Sequence, residues 1–135
     1  MSQIPRVSYI IEKIEPMVIN FRIEDENITV RIFLIPIAVY SQDINNITPI
    51  VRVVMAVDTD KPRLGELCNP AKMVSHRAFI PSINEVNEGG TVIKVNEKKF
   101  LLKLKITNIN VYTDLRDELG NPCVNISWIL LTTAE

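Results

Sequence analysis

The sequence predicts an all-β protein, an antiparallel β-sandwich or barrel of about seven or eight strands with one or two short helical turns. Composition is the first reason: Ile, Val and Thr make up 42 of the 135 residues, whereas Ala and Gly supply only 5 and 4. β-Branched side chains lose rotamer freedom in helices and pack well on pleated sheets. The second reason is a regular alternation of apolar and polar residues, and the third is that this alternation recurs along the chain.

The first half of the chain predicts four strands. Apolar and polar residues alternate over residues 17–24, a polar turn follows at 25–27, and a second alternating run covers 28–40. This spacing is typical of a hairpin. Because Pro36 cannot donate a ladder hydrogen bond, it predicts an edge position or a bulge within the second run. The other two strands are expected over about residues 7–14 and 49–57.

Residues 58–78 are polar and broken by prolines, which indicates a linker. Asn69 followed by Pro70 has the form of a helix start, with Asn as the N-cap and Pro at the first helical position. We therefore expect a short helix near residues 70–77. Ser82 and Glu85 form a capping-box pattern that predicts a further helical turn before Gly89.

The second half predicts a hairpin of residues 91–95 and 100–112, followed by a last strand over 123–132. Sliding the chain by 72 residues superposes 28–40 on 100–112, with three identities at the strand end: Ile37 on Ile109, Val39 on Val111, and Tyr40 on Tyr112. With one extra loop residue, Pro49 falls on Pro122. The whole chain is thus expected to be a single β domain, 1–135, that contains an internal repeat of two β-meander units, 7–57 and 79–132.

Bulk properties favour an intracellular location, cytoplasmic or within a virion. The N-terminal residues contain no apolar run behind a basic stretch, so no signal peptide is recognised. The longest apolar run, 32–40, is broken by Pro36 and is shorter than the ~20 residues of a membrane-spanning helix. Cys68 and Cys123 allow at most one bridge, and the sequence leaves open whether they pair. The 15 basic and 16 acidic side chains do not give the basic balance of a DNA-coating protein.

No catalytic residues, metal ligands or cofactor are predicted, and we expect the protein not to be an enzyme. His76 is the only histidine, and its neighbour Ser75 cannot face it on a helix. The linker gathers further reactive side chains without any spacing typical of a metal site. These linker residues are Asp58, Asp60, Glu66 and Cys68.

Two surfaces could bind a partner. Residues Lys94, Lys98, Lys99, Lys103 and Lys105 cluster on the second hairpin, where they could follow a phosphate backbone or simply form a solvated face. The strands at 51–57 and 123–132 are instead apolar on both faces, which a second layer would have to cover. Candidate residues for this self-association are Val51, Val53, Ile129 and Leu131.

The leading expectation is therefore a non-enzymatic structural or assembly protein, a self-associating β subunit of viral capsid-like or accessory type. It would form a homo-oligomer or a larger assembly, with no membrane span. The alternative is a nucleic-acid-binding β-barrel that uses the lysine-rich hairpin at 94–105.

Overall fold

The alternating segments form two β-sheets that pack together as a sandwich and do not close into a barrel. The computed structural model describes residues 5–43 and 45–135. All-β architecture is thereby confirmed, with 71% of the chain in strands and 3% in a helix. The described strands are β1 (Arg6–Val7), β2 (Ile10–Glu15), β3 (Met17–Ile23), β4 (Glu26–Asp43), β5 (Asn46–Thr59), β6 (Glu66–Leu67), β7 (Asn84–Asn87), β8 (Gly90–Val95), β9 (Lys98–Arg116) and β10 (Pro122–Ala134).

Each sheet is built around one long strand. In the first sheet β4 pairs with β5 along one edge and with β3 and β1 along the other, and β7 adds to β3. In the second sheet β9 pairs with β10 on one edge and with β8 on the other, and β2 adds to β8. The two-residue strand β6 runs parallel to the end of β9. All other pairings are antiparallel. The described part of the chain has ten strands, slightly more than the seven or eight predicted.

The core lies between the sheets and consists of the inward-facing residues of their central strands. Alternate positions of β3, β4, β8 and β9 are buried because the strand period of two sends every second side chain to the same face. A buried hydrogen bond also joins the sheets, from Thr91 Oγ1 to the backbone oxygen of Leu34 at 2.7 Å. The fully buried apolar side chains include Ile19, Ile28, Val30, Val39, Ile93, Leu102, Val111 and Leu115.

Two of the local turn and helix predictions are confirmed and one is wrong. Pro36 lies next to a bulge, because the register of β4 on β5 shifts between Pro36 and Ala38. The helix α1 (Pro70–Met73) begins where predicted but ends at Met73, short of the predicted residue 77, and Asn69 accepts a hydrogen bond from the Ala71 N–H at 2.9 Å. The turn predicted from Ser82 and Glu85 is wrong, since this segment forms β7 and pairs with β3. A strand partner that is distant in sequence outweighs the local capping pattern here.

No helix among the described residues has the length and apolar character needed to cross a membrane.

The two halves have equivalent strand pairings at an offset of 72. Val7 pairs with Val39 in β4, and Phe79 bridges Val111 in β9. Ile19 pairs with Val30, as Thr91 does with Leu102. Both tight hairpin turns hold their first residue in the left-handed region, with φ 57° at Glu24 and 55° at Asn96. That the chain arose by internal duplication stays a prediction, which these correspondences support.

The halves exchange a strand across the sandwich. β2 pairs with β8 of the second half, and β7 pairs with β3 of the first half. The chain crosses between sheets at Pro16 and again at Glu88–Gly89. These crossings touch: Gly89 has φ 67°, and a Cβ there would lie 2.5 Å from the Met17 nitrogen. Only glycine fits this contact, because both the space and the backbone angle exclude a side chain.

The equivalence extends to the last strand of each half, with a different offset from that inferred by aligning Pro49 with Pro122. In the ladders Val39 pairs with Pro49, and its counterpart Val111 pairs with Val124. Pro49 therefore corresponds to Val124, an offset of 75. The sequence alignment is short by two residues, because loop length is not visible in alternation and a shift of two leaves every side chain on the same face.

Candidate self-association surface

Two long strands end the sandwich with an open edge. In the parts of the chain that the structure describes, β5 pairs only with β4, and β10 pairs only with β9. The strands are 14 and 13 residues long. Their outer edges thus present backbone N–H and C=O groups that no neighbouring strand pairs with, which is the arrangement to which another strand adds.

Both of these edge strands, β5 and β10, carry apolar side chains on two faces, and the outward row of β5 also contains Arg52 and Asp58. The inward rows are half-buried against the core, and the outward rows are exposed. The inward rows are Val51, Val53, Met55 and Val57 on β5, and Val124, Ile126, Trp128 and Leu130 on β10. On the outward rows, Val54, Ile129 and Leu131 expose 52%, 48% and 45% of their surface. A strand at an open edge keeps such values because it has a neighbour on only one side.

The four residues predicted for self-association do not share one surface. Val51 and Val53 point inward and pack against the core, so the core itself partly covers them. Ile129 and Leu131 lie on the outer face of the second sheet, opposite Lys105 and Lys103 in the ladder. Only Ile129 and Leu131 are therefore placed to meet another molecule by that face.

The lysine cluster is partly neutralised by neighbouring carboxylates. Lys99 Nζ lies 3.1 Å from Glu12 Oε2, Lys103 contacts Glu88, and Lys94 lies 3.9 Å from Glu97. Lys98 points the other way, and its Nζ lies 2.7 Å from Asn45 Oδ1. A phosphate backbone would have to displace these carboxylates, so the cluster fits a solvated face that discourages strand addition better than it fits a nucleic-acid track.

The reactive side chains of the linker are held in separate local contacts. Asp58 pairs with Arg31, while Asp60 accepts hydrogen bonds from Asn27, which lower the pKa of its carboxyl. His76 Nε2 lies 3.3 Å from Glu66 Oε2. The Glu66 pKa is lowered chiefly by its hydrogen bond from Lys72. Within residues 5–43 and 45–135, no three His, Cys, Asp or Glu side chains are grouped so as to hold a metal ion.

Cys68 and Cys123 form a disulfide, with their Cα atoms 5.9 Å apart. The bridge ties the linker just after β6 to the beginning of β10, across 55 residues of sequence. The sequence leaves this pairing open, because two cysteines give no pattern to interpret. Disulfides persist mainly in oxidising compartments and are rare in the cytosol. The intracellular location expected from the sequence stays a prediction.

An ion pair that the sequence did not reveal lies beside the linker. Arg116, 1% exposed, donates to both oxygens of Glu26, from Nη1 to Oε2 at 2.7 Å and from Nη2 to Oε1 at 2.9 Å. Thr59 also donates to Glu26. Burial raises the pKa of the Glu26 carboxyl, but the hydrogen bonds from Arg116 and Thr59, together with the positive charges of Arg116 and Arg63, outweigh burial and leave the pKa below its ordinary value. The position of Glu26 in β4 and of Arg116 in β9 follows no local pattern, so sequence spacing carries no signal for their contact.

A shallow polar pocket of about 270 Å³ opens next to this pair. Its two basic side chains already have partners within the chain: Lys61 Nζ lies 2.7 Å from Asp25 Oδ2, and Arg63 Nη2 donates to the Thr113 oxygen at 2.8 Å. The groups that could bind a ligand thus hold the linker against the two halves of the sandwich.

No family model, curated protein or solved structure matches this chain. Its function therefore has to be argued from its own geometry and chemistry.

Proposed function

We propose that this protein is a non-enzymatic structural subunit that associates with further copies of itself through apolar strand surfaces. One observation carries the proposal: each sheet ends in a long strand that has an open edge and apolar side chains on both faces. Natural sandwiches usually protect such edges, as Arg52 and Asp58 do on β5, or cover them. Contiguous exposed apolar residues beside an unpaired backbone are typical of a protein–protein contact.

The outer face of the first sheet carries a separate row of exposed apolar residues. Phe33 pairs with Val54 across β4 and β5, and both side chains point away from the core. Ile37 and Ile50 lie further along the same pair of strands, 39% and 41% exposed. An exposed apolar row of this kind contributes little to the stability of a single chain. Covering it would lower the free energy by removing apolar surface from water.

The side chains that could perform acid–base or metal chemistry support a non-catalytic interpretation. Asp58, Asp60 and His76 each contact a separate neighbour, and Cys68 is consumed in the disulfide. A nucleophile, a base and a group that orients the base have to converge within hydrogen-bond reach for general catalysis. Here these groups serve to fix the linker instead.

Magnitudes indicate an association in the micromolar range. Each backbone hydrogen bond across a new strand pair contributes about 0.5–1.5 kcal/mol net, whereas bringing two molecules together costs about 4–15 kcal/mol. The hydrogen bonds of about ten paired residues therefore come near to offsetting the cost of association by themselves. Burying exposed Ile and Leu side chains adds about 1.5–3 kcal/mol for each one fully covered, and this term decides the outcome.

Light scattering across about 1–100 μM tests the proposal. We expect the mean molar mass to rise with concentration above the 15.4 kDa of one chain. A mass that stays at one chain throughout this range would remove the proposal. Electron microscopy of the concentrated protein then distinguishes a closed oligomer from a particle of capsid or accessory type.

A further inference from the structure

The strands β5 and β10 occupy equivalent places in the two halves, so their edges can be compared position by position. The offset of 75 that relates Pro49 to Val124 also relates Arg52 to Ser127, and Asp58 to Thr133. Both strands are continuous through these positions, and each is the last strand of its sheet beside the long central strand. A difference in charge along the two edges therefore changes which partner strand each edge accepts.

β5 carries three residues that discourage strand addition, and β10 carries none of them. Proline and charged side chains on an edge strand are common protection against pairing with another chain. At the positions of Pro49, Arg52 and Asp58, β10 has the uncharged residues Val124, Ser127 and Thr133. Beyond Pro122 at its first position, β10 contains neither a proline nor a charged residue through Ala134.

The remaining described strands that border the sheets are protected as β5 is. β2 contains Glu12, Lys13 and Glu15, and the four-residue β7 contains Glu85. Thus, among the described strands that end a sheet, β10 alone offers a long edge without charge. Its apolar residues also lie on both sides of that edge, with half-buried Trp128 and Leu130 inward and exposed Ile129 and Leu131 outward.

We propose that β10 pairs antiparallel with the β10 of a second copy of this chain, across a two-fold axis, and joins two copies of the second sheet into one continuous sheet. This assignment rests on the proposed function of self-association and names its interface. An isologous contact requires a surface complementary to itself. An uncharged strand meets this requirement, because no like charges face each other in any register.

The charges beside β10 disfavour a basic partner strand and are compatible with a second copy. Lys103 and Lys105 of β9 flank Leu131 and Ile129 on the outer face. A partner strand that brought basic side chains would place like charges near these lysines. The β10 strand of another copy brings none, and its outward apolar residues would extend the same row.

Ile129→Glu and Val54→Glu are a matched pair of variants that tests this interface. The two positions are equivalent by the offset of 75 and almost equally exposed, at 48% and 52%. The carboxylate that Ile129→Glu introduces would lie opposite Lys105 in the ladder, so the fold should tolerate it, and circular dichroism with thermal unfolding checks that it does. Ile129 lies near the middle of β10, so full antiparallel pairing of two copies brings both introduced carboxylates close to the axis. We therefore expect Ile129→Glu to weaken dimerisation in sedimentation equilibrium at least about tenfold. Val54→Glu should change the dissociation constant of the dimer by less than about twofold.

Hydrogen exchange supplies a second readout that does not depend on a variant. In the native protein, amides of β10 should gain protection as concentration rises through the dimerisation range, and amides of β5 should not.

The outcomes separate the interface from the function. A native dimer that persists in Ile129→Glu, or that Val54→Glu disrupts instead, overturns the β10 interface while self-association stands. A native protein that is monomeric up to about 100 μM overturns both proposals.

Discussion

Arg116 and Glu26 form a doubly hydrogen-bonded ion pair that joins the end of β9 to the start of β4, 90 residues away in sequence. Their side chains are 1% and 9% exposed. Arg116 also donates to the backbone oxygens of Thr113 and Gly120, so one guanidinium holds together the first hairpin, the end of β9 and the loop before β10. A buried charge with all of its partners in place stabilises this junction only while the set stays complete.

Removal of one member of the pair should therefore destabilise the fold strongly. Arg116→Met leaves the Glu26 carboxylate buried without its counter-charge, and we expect a loss of about 3–5 kcal/mol in the free energy of unfolding, measured with urea. The double variant Glu26→Leu with Arg116→Met removes both charges and should recover most of that loss. If Arg116→Met cost less than about 1 kcal/mol, the pair would not be the structural junction described.

The lowered pKa of Glu26 predicts a loss of stability in acid. Because the carboxyl has a lower pKa in the folded state than in the unfolded chain, its stabilising contribution is complete above the ordinary carboxyl value of 4.5 and is lost as the pH falls through the folded value. The free energy of unfolding, measured with urea between about pH 7 and 3, should thus fall more steeply with decreasing pH for the native protein than for Glu26→Gln. The exposed Asp60, whose pKa is also lowered, provides the control: Asp60→Asn should change that slope much less. Equal slopes for the native protein and Glu26→Gln would contradict the assignment.

Gly89 is expected to be irreplaceable at the crossing of the two halves. Gly89→Ala puts a Cβ within 2.5–2.7 Å of backbone atoms of Met17 and Pro16, at φ 67°. The backbone angle costs about 1–2 kcal/mol for an L-residue, and displacement of the crossing backbone adds about 1–3 kcal/mol. Thermal and urea unfolding should both report this loss. Its exposed neighbour gives the comparison, because Glu88→Ala should stay within about 0.5 kcal/mol of the native protein.

The disulfide should stabilise the junction of linker and β10. Closure of a loop of 55 residues lowers the entropy of the unfolded chain by an amount worth about 4 kcal/mol at 25 °C. We expect a reducing agent to lower the unfolding temperature of the native protein by about 10–15 °C. The double variant Cys68→Ser with Cys123→Ser should already unfold at the lower temperature and should not respond to reductant. A native protein that is insensitive to reductant, with two thiols titratable after unfolding, would mean that the cysteines are not paired.

The sequence predicts those features that depend on interactions between residues close together in the chain. Alternation places the hairpins of each half, because a strand period of two is a local property, and the bulge near Pro36 follows from a missing N–H. The start of α1 is equally local, since Asn69 acts on the turn that it begins. The 72-residue offset could be found because equivalent strands keep the same alternation.

The features that the sequence missed all depend on a choice between distant partners. Nothing in the alternation of β2 says that it pairs with β8 of the other half, and the capping pattern of Ser82 and Glu85 concealed a strand that β3 recruits. In the sequence, Glu26 and Arg116 cannot be distinguished from ordinary surface charges, because only the packing of the two sheets places them in contact. For the same reason Val51 and Val53, predicted as association residues, face the core, whereas Ile129 and Leu131 do lie outward.

We propose that the open, apolar strands of this sandwich bring copies of the chain together, and sedimentation equilibrium of the unmodified protein is the decisive measurement. Over about 1–100 μM at moderate salt, we expect the weight-average mass to climb from near 15.4 kDa toward at least twice that value. The rise should persist at high salt, since burial of apolar surface is not screened by ions. A mass that remains at 15.4 kDa over the whole range would contradict the claim.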